Sequence, residues 1–504
     1  MIDVTVQGSA GWWMKRLYDR LEGDRQRFAT LEAYYSGTPP LAWGSEQTRT
    51  KFYRFQQMSH TNFAALLVDA PTERVGLRAI MTAADKDVSG DTEAWRTVLA
   101  NDLDIQFSDA TRCAFKFGRS YFVTSSPDAE GEAAVITWED PRTLITAPDP
   151  VRRGVQRAAF KLFHDSDEEL DVAILWLPGQ KIVATRGRKV APRQERENGQ
   201  FGAVKLTPVS FSPNDFTVQP EAGGGPYLSE SYQSKAVPVQ VIENRNGIGE
   251  FELHTDLLDR LNHLHLMLMV IVTMQAFRQR VLEQSDSADA EQLPERDESG
   301  QLIDYSDLFQ LSPDGMLLIP PGSKIAELGQ ADLTGILNAI RSDILKLAAV
   351  TRTPMSIFTP DGVQGSAEGA FQADFGMVAK VRNFLIGGGR ALSRAIALGF
   401  EFAGDDTRSD PATVSANFTN VARTSLSEKG SAAAQAVGSL PVETIMDIIW
   451  EMDPAQIEQA KAQRMQELMV AQVAAKAAAP APTPPVPPVA PVVKPGDEQP
   501  TVAA

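Results

Sequence analysis

The sequence predicts an α+β protein in which helices predominate. Apolar residues recur at helical spacing over long stretches in both halves of the chain. A block at about 119–208 instead consists of short segments rich in Val, Ile, Phe and Trp, as strands are. Hydrophobic residues make up 43% and charged residues 22% of the 504 positions, so most of the chain is expected to be globular.

Three helical stretches are predicted ahead of the strands. The first covers residues 10–36 and stops at the segment SGTPP. The second starts near Asn62. The third is predicted as a continuous helix from Asp91 to Gly118.

The central block has the pattern of an antiparallel β region. Turn residues separate its apolar segments at near-regular spacing, which is typical of strands joined by tight connections. The segments are RSYFVTSS, AAVITWED, TLITAP, VQRAAFKLFH, LDVAILWLPG and KIVATRG.

Two amphipathic helices are predicted after the strands, at 255–284 and 331–350, with Asp332 as the N-cap of the second. The acidic segment 285–300 reads as an exposed loop, and MLLIPPGSKIAEL as a short strand and turn. Each helix carries a narrow apolar stripe suited to packing against another helix. The residues expected to pack are Leu257, Leu261, Leu264 and Leu268 on the first helix, and Leu333, Ile336, Leu337, Ile340, Ile344 and Leu347 on the second.

The segment TRTPMSIFTPDGVQGSAEGA, residues 351–370, interrupts the helical pattern with two prolines and three glycines. Such a long connection without secondary structure is uncommon and is often functional. An ordinary surface loop remains the alternative.

A third helix is expected from Ser366, as its cap, to about residue 402, and Gly387, Gly388 and Gly389 are expected to weaken or kink it. Residues 424–475 read as helical, and the Pro-, Ala- and Val-rich tail 476–504 cannot form a core.

Charge and cysteine content narrow the class of protein. The net charge is −17, and an acidic chain is a poor candidate for gripping phosphate backbones. The single cysteine, Cys113, lies among apolar residues and is expected to be a buried thiol. The chain start lacks a signal-peptide pattern, and the most apolar run, LHLMLMVIVTM, is too short to span a bilayer. We therefore expect a soluble protein of a reducing compartment, with no membrane contact.

No recognisable catalytic motif occurs. The sequence has no P-loop, and its glycine clusters lack the context of a dinucleotide site. His263 and His265 are two residues apart and would diverge on a helix, so they cannot share a metal. The acidic segments DKDVSGD and DSDEEL lack the spacing of a calcium loop. We predict no catalytic residue, no cofactor and no metal, hence a structural or assembly role rather than an enzyme.

The order of segments is more informative than any single site. EAYYSGTPP is followed by NFAALLVDAPTERVGLRAI, then AWRTVLANDLDIQFSDATRCAFKFGRSYFVTSS, the β block, VPVQVIENR, and two long helices around an acidic excursion. This series resembles the portal proteins of tailed bacteriophages, particularly the siphophage-type branch of actinobacterial phages. The resemblance covers about residues 25–470. Its individual motifs are loose, and the collinear order carries the specificity.

The resemblance implies a portal fold with a wing, a stem, a clip and a crown, assembled as a ring around a central channel. The implied divisions are a wing at 1–254, stem helices at 255–284 and 331–350, a clip at 285–330, a tunnel loop at 351–365, a long helix returning to the wing at 366–423, a crown at 424–475 and a disordered tail at 476–504.

The resemblance also implies a function and partners. Portals form rings, typically of twelve subunits, at one capsid vertex, and double-stranded DNA passes through them without sequence readout during packaging and ejection. The implied partners are the major capsid protein, the large terminase subunit and a head-completion or adaptor protein. The implied location is the virion, with host cytoplasm during assembly. The tunnel-loop residues expected to face the channel are Thr359, Asp361, Gln364 and Ser366.

Two other interpretations stay open at this point. Another capsid-associated protein, such as a minor head or adaptor protein, would share the assembly role, although adaptors are usually far shorter. A metal-dependent nuclease would use the acidic segments set aside above as solvated turns.

Overall fold

A computed structural model describes residues 3–40, 53–84, 90–127, 129, 131–152, 154–187, 206, 209–222, 227–276, 280–283, 324–327, 332–359, 367–422, 424–452 and 454–477. The predicted tail and most of the predicted clip lie outside these residues. Helices and antiparallel sheets occur together, as predicted for an α+β chain.

The N-terminal helices are α1 (Ala10–Tyr35), α2 (Tyr53–Met58), α3 (Phe63–Thr72), α4 (Thr92–Ala100) and α5 (Leu103–Phe117). The continuous helix predicted from Asp91 to Gly118 is wrong, because α4 and α5 meet at a corner. Asp102 adopts the left-handed conformation there, with φ 49°. Asn101 fixes the corner by donating to the carbonyl oxygens of Thr97 and Ala134 at 3.0 and 2.9 Å.

The predicted antiparallel strands occur as β2 (Arg119–Ser125), β3 (Val135–Glu139), β4 (Leu144–Pro148), β5 (Gln156–Asp165), β6 (Leu170–Leu177) and β7 (Gln180–Gly187). Short strands β8 (Thr217–Val218) and β9 (Glu230–Ser231) both pair with β7. One sheet has the order β4-β5-β6-β7-β8, and a three-stranded sheet places β2 between β3 and β10 (Val239–Glu243). A third, two-stranded sheet pairs β1 (Leu77–Met81) with β13 (Ser415–Phe418).

The first helix joins two hydrophobic cores. Met14 and Tyr18, near the start of α1, pack against the larger sheet. Phe28 and Leu31, further along the same helix, belong to the main core, which also contains Cys113 of α5. Cys113 is buried, as predicted, and this burial raises the pKa of its thiol.

The remaining helices are α6 (Thr255–Ala276), α7 (Thr334–Thr351), α8 (Met355–Phe358), α9 (Ala367–Ala403), α10 (Leu426–Ala436), α11 (Val442–Ile448) and α12 (Pro454–Ala477). Strands β11 (Arg280–Glu283) and β12 (Lys324–Glu327) lie between α6 and α7. Helices α10 to α12 correspond to the predicted helical region 424–475. Arg78 of β1 ties this region to the rest by pairing with Asp447 and by donating to the Met452 carbonyl at 2.9 Å.

The long helix expected at 366–402 is present as α9, and it runs through the three consecutive glycines that are expected to weaken or kink it. A Cβ at position 389 would lie 2.8 Å from the Phe418 ring, and one at 388 would lie 3.3 Å from the Phe107 ring. The glycines thus let two aromatic rings approach the helix closely, and this packing holds the segment helical despite its poor propensity.

Candidate functional site at the helical hairpin

Helices α6 and α7 form an antiparallel hairpin. At its far end β11 pairs antiparallel with β12, with Arg280 opposite Glu327 and Glu283 opposite Lys324. The first helix was predicted to continue to residue 284. It ends instead at Ala276, and the chain has become a strand by Arg280, because the ladder with β12 provides backbone partners there.

The predicted packing residues differ in burial. Leu261, Leu347 and Ile340 are buried in the main core. Leu333 is half-buried, and Leu337 is 51% exposed. The other predicted residues are partly buried against the main core, namely Leu257, Leu264, Leu268, Ile336 and Ile344.

An ion-pair cluster joins the two helices beside the apolar residues. Arg260 donates from Nε and Nη2 to the two carboxylate oxygens of Asp343, at 2.6 and 2.8 Å, and Lys346 Nζ lies 3.0 Å from Asp343 Oδ1. Burial alone would favour the neutral acid, but the hydrogen bonds from both cations outweigh it, so the pKa of Asp343 is lowered. This two-pronged contact fixes the rotation of α6 against α7.

The start of α6 is attached to α1 through a second polar contact. The Tyr34 hydroxyl lies 2.8 and 2.9 Å from the carboxylate oxygens of Asp259. Burial raises the pKa of both groups, because it disfavours each charged form. Just before α6, Glu252 pairs with Arg27 of α1 at 2.6 Å. The base of the hairpin is therefore held by α1 as well as by its own core residues.

Residues 351–370 were predicted to form a loop without secondary structure, but the first part of this segment is structured and packed against the core. Arg352 ends α7 in the left-handed conformation, with φ 54°. The single turn α8 follows, and the ring of Phe358 packs edge-on against that of Phe63, with centroids 5.4 Å apart. Lys380 of α9 donates to the Thr351 carbonyl at 3.1 Å and to Glu250 at 2.7 Å.

Of the four predicted channel-facing residues, the structure describes only Thr359, which is exposed at the end of α8. Asp361, Gln364 and Ser366 lie outside the described residues. The loop therefore leaves the core from a fixed base, and its predicted functional part starts at Thr359.

Within the described residues, no group of three or more His, Cys, Asp or Glu side chains is placed to hold a metal ion. His265 is partly buried, which lowers its pKa. None of the described helices combines the length and the apolar character needed to cross a membrane.

The whole chain, and not only the hairpin and the loop, can be compared with known protein families. Residues 14–468 match the family model of the phage portal protein, SPP1 Gp6-like. The chain belongs to this family of phage portal proteins. The hairpin and the loop are thus features of a portal-family chain, in agreement with the resemblance seen in the sequence.

Two mycobacteriophage portal proteins are similar to parts of the chain. The portal protein of Mycobacterium phage D29 is 26% identical over 159 residues, and that of Mycobacterium phage L5 is 27% identical over 133 residues. These alignments cover 30% and 25% of this chain. They span only 32% and 27% of the two relatives.

Remote likenesses exist among solved structures. One is the neck of a native GTA particle computed with C12 symmetry, with a TM-score of 0.40, and another the neck of an empty GTA particle computed with C6 symmetry, with a TM-score of 0.43. Both are 12% identical in sequence, and each comparison covers 84% of this chain and 98% of the other.

Sequence reasoning missed the polar contacts of this portal chain. Asp343 falls three residues after Ile340 and four before Leu347, so a charged residue on the buried side of α7 could have been noticed. Its partner Arg260 could not, because it lies 83 residues away in the chain and only the fold brings the two side chains together. Lys380 and Thr351 are 29 residues apart, and only the fold brings them together.

Proposed function

We propose that this chain forms a ring at one capsid vertex and that double-stranded DNA passes through the ring during packaging and ejection. The hairpin α6–α7 would be the stem, and twelve subunits would close the ring, as the family resemblance implies. Neighbouring subunits would make heterologous contacts, which generate a closed ring when the rotation between copies closes.

This proposal rests on apolar residues of the hairpin that remain exposed in the single subunit. Beyond the core, Met267, Val272, Leu337 and Leu345 are each about half-exposed on a hairpin that also buries apolar residues at its base. Exposed apolar residues in such a series are expected where another protein surface covers them. Copies of the same hairpin, side by side around a channel, would supply that cover.

The loop would enter the channel from Thr359 onward, with Asp361, Gln364 and Ser366 as its DNA-facing residues. The sequence between Pro354 and Ala370 has no lysine or arginine. A lining without cations would touch DNA through short polar groups and would not trap it, because strong binding to the phosphate backbone needs basic residues. The overall charge of −17 supports the same interpretation.

The remaining partners follow from the proposed position at the vertex. The segment 285–330, as the clip, would dock the large terminase subunit during packaging and later a head-completion or adaptor protein. The wing would contact the major capsid protein. The chain would be found in the host cytoplasm before assembly and in the virion afterwards, with a structural and not a catalytic role.

Light scattering coupled to size exclusion, with averaged electron-microscope images, tests the proposal. Twelve copies of 54.9 kDa give a particle of about 660 kDa. Images should show an annular particle with an open channel, a flared rim and a narrow stem. A chain that stays monomeric at high concentration and is absent from rings in virions would contradict the proposal.

A further inference from the structure

A groove on the surface of α9 has the features of a docking site. It is open, with a volume of about 770 Å³, and lies between α9 and β13. Arg382, Ile386, Arg390 and Arg394 recur every four residues along its helical wall, so they form one stripe. The opposite wall mixes apolar residues such as Val414 and Phe418 with polar residues such as Ser415 and Thr419. We refer to this site as the arginine groove.

Among the residues that the structure describes, no carboxylate neutralises the charges of the arginine groove. Arg394 donates to the carbonyl oxygen of Gly154 at 3.1 Å, and Arg382 makes only a long contact of 3.5 Å with Asn420. In the described part of the chain, neither these two nor Arg390 has a carboxylate within 4.0 Å. By contrast, Arg74, just before β1, and Arg78, within β1, are both paired with aspartates. Strand β1 is the partner of β13, which forms part of the groove.

The groove therefore suits an occupant that is both anionic and apolar. Ile386, in the middle of the arginine stripe, is 57% exposed. A nucleic-acid backbone would satisfy the arginines and leave this apolar surface unused, since phosphate contacts need only cations and polar donors. A protein surface with carboxylates beside aliphatic side chains would use both.

The same chain carries such a surface at the corner between α4 and α5. Leu99 and Ile105 are 56% and 63% exposed there. Asp102 and Asp104 are exposed beside them, and neither has an ion-pair partner among the described residues. The left-handed conformation of Asp102 turns the chain sharply, so the four side chains belong to one short corner. We refer to it as the acidic corner.

We propose that the arginine groove of one subunit receives the acidic corner of the next subunit. This inference rests on the proposed ring. Each chain has one groove and one corner, so the contact is heterologous and can repeat around a closed ring. Charge complementarity fixes the register between subunits, and Ile386, Leu99 and Ile105 lose their contact with water.

Three variants of the full chain test the contact. The groove variant carries Arg382→Glu and Arg390→Glu, the corner variant carries Asp102→Arg and Asp104→Arg, and a control variant carries Lys15→Glu and Arg20→Glu on the exposed side of α1. The control reverses as many charges as the groove variant. Circular dichroism melting of each variant checks that the subunit is folded.

Size exclusion with light scattering measures ring formation against subunit concentration. We expect the groove variant and the corner variant each to raise the concentration needed for half-assembly by at least about tenfold, because like charges would meet at every interface. The control variant should assemble like the natural chain. An equimolar mixture of the groove and corner variants should recover rings, since alternating subunits place opposite charges at every contact and twelve is an even number.

Normal ring formation by the groove variant, or failure of the mixture to assemble from folded subunits, would overturn the contact. Rings of the natural chain in these same experiments would leave the proposed function standing. Absence of rings from the natural chain would overturn the proposed function and this contact together.

Discussion

The two ends of the helical hairpin are held in different ways. At the base, Leu261 and Leu347 are fully buried, and Arg260, Asp343, Tyr34 and Asp259 add polar contacts. Toward the tip, Leu337 and Val272 are about half-exposed. The base is anchored by buried residues of the same subunit, although Leu345 is 49% exposed there, whereas the tip has fewer buried residues and is expected to be covered by neighbours. Stability and assembly should therefore be separable by mutation along the same two helices.

The largest effect on the subunit is expected at the base. Leu261→Ala should lower the free energy of unfolding by about 2–5 kcal/mol, because it leaves a cavity in the main core. Urea unfolding measures this loss, at protein concentrations too low for rings to form. Leu337→Ala is the matched control at the tip and should change the free energy of unfolding by less than about 0.5 kcal/mol. Equal losses at both positions would remove the distinction between base and tip.

A smaller loss is expected from the ion-pair cluster. Asp343→Asn should lower the free energy of unfolding by about 1–3 kcal/mol, since Arg260 and Lys346 lose a buried, charged acceptor. Asp406→Asn, at an exposed position, serves as the control.

The same variant should change the dependence of stability on pH. The pKa of Asp343 is lowered in the folded state, so its contribution is fully present above the unfolded value of about 3.9 and is lost as pH falls through the lower folded value. Asp343→Asn should flatten the stability curve in this acidic window. The assigned role would be wrong if the stability of the natural chain fell no more steeply in this window than that of Asp343→Asn.

At the tip, a change should affect assembly and leave the subunit nearly unaltered. Leu337→Glu should keep the free energy of unfolding within about 0.5 kcal/mol and raise the concentration for half-assembly by about tenfold. Val218→Glu, at a half-exposed position on the sheet, should assemble normally. Light scattering across a dilution series gives both values, and unimpaired assembly of Leu337→Glu would place the ring interface elsewhere.

The smallest effect on the subunit is expected from the loop. Deleting residues 359–365 removes a segment that follows the fixed turn α8, so folding and ring formation should be spared. DNA packaging or retention should fall severalfold, as measured by the yield of filled and infectious particles. Gln364→Ala is a mild control. A normal infectious yield from the deletion would argue against a channel-facing loop.

The sequence alone predicted most helices and strands, because their apolar periodicity is strong. It failed where a tertiary contact overrides the local pattern. The chain forms a strand at Arg280, where a helix was predicted, because β12 is available there. The corner at Asp102 depends on the Asn101 side chain, whose bond to Ala134 reaches a distant segment.

The candidate site was less accessible to sequence reasoning than the fold. The apolar stripes of both helices could be read from spacing, but their uneven burial could not, because it depends on where the core ends. The loop composition predicted freedom from Thr351 onward, whereas the packing of Phe358 and the Lys380 contact fix its first part.

The lone cysteine has a practical consequence. Cys113 is buried in α5, and its raised pKa keeps the thiolate form scarce at neutral pH. Thiol-directed dyes and spin labels should therefore leave the natural chain unlabelled while it is folded. A cysteine introduced at Leu337 or Thr359 would carry one label per subunit, and the distances between labels in an assembled particle would report the number of subunits and the width of the opening they surround.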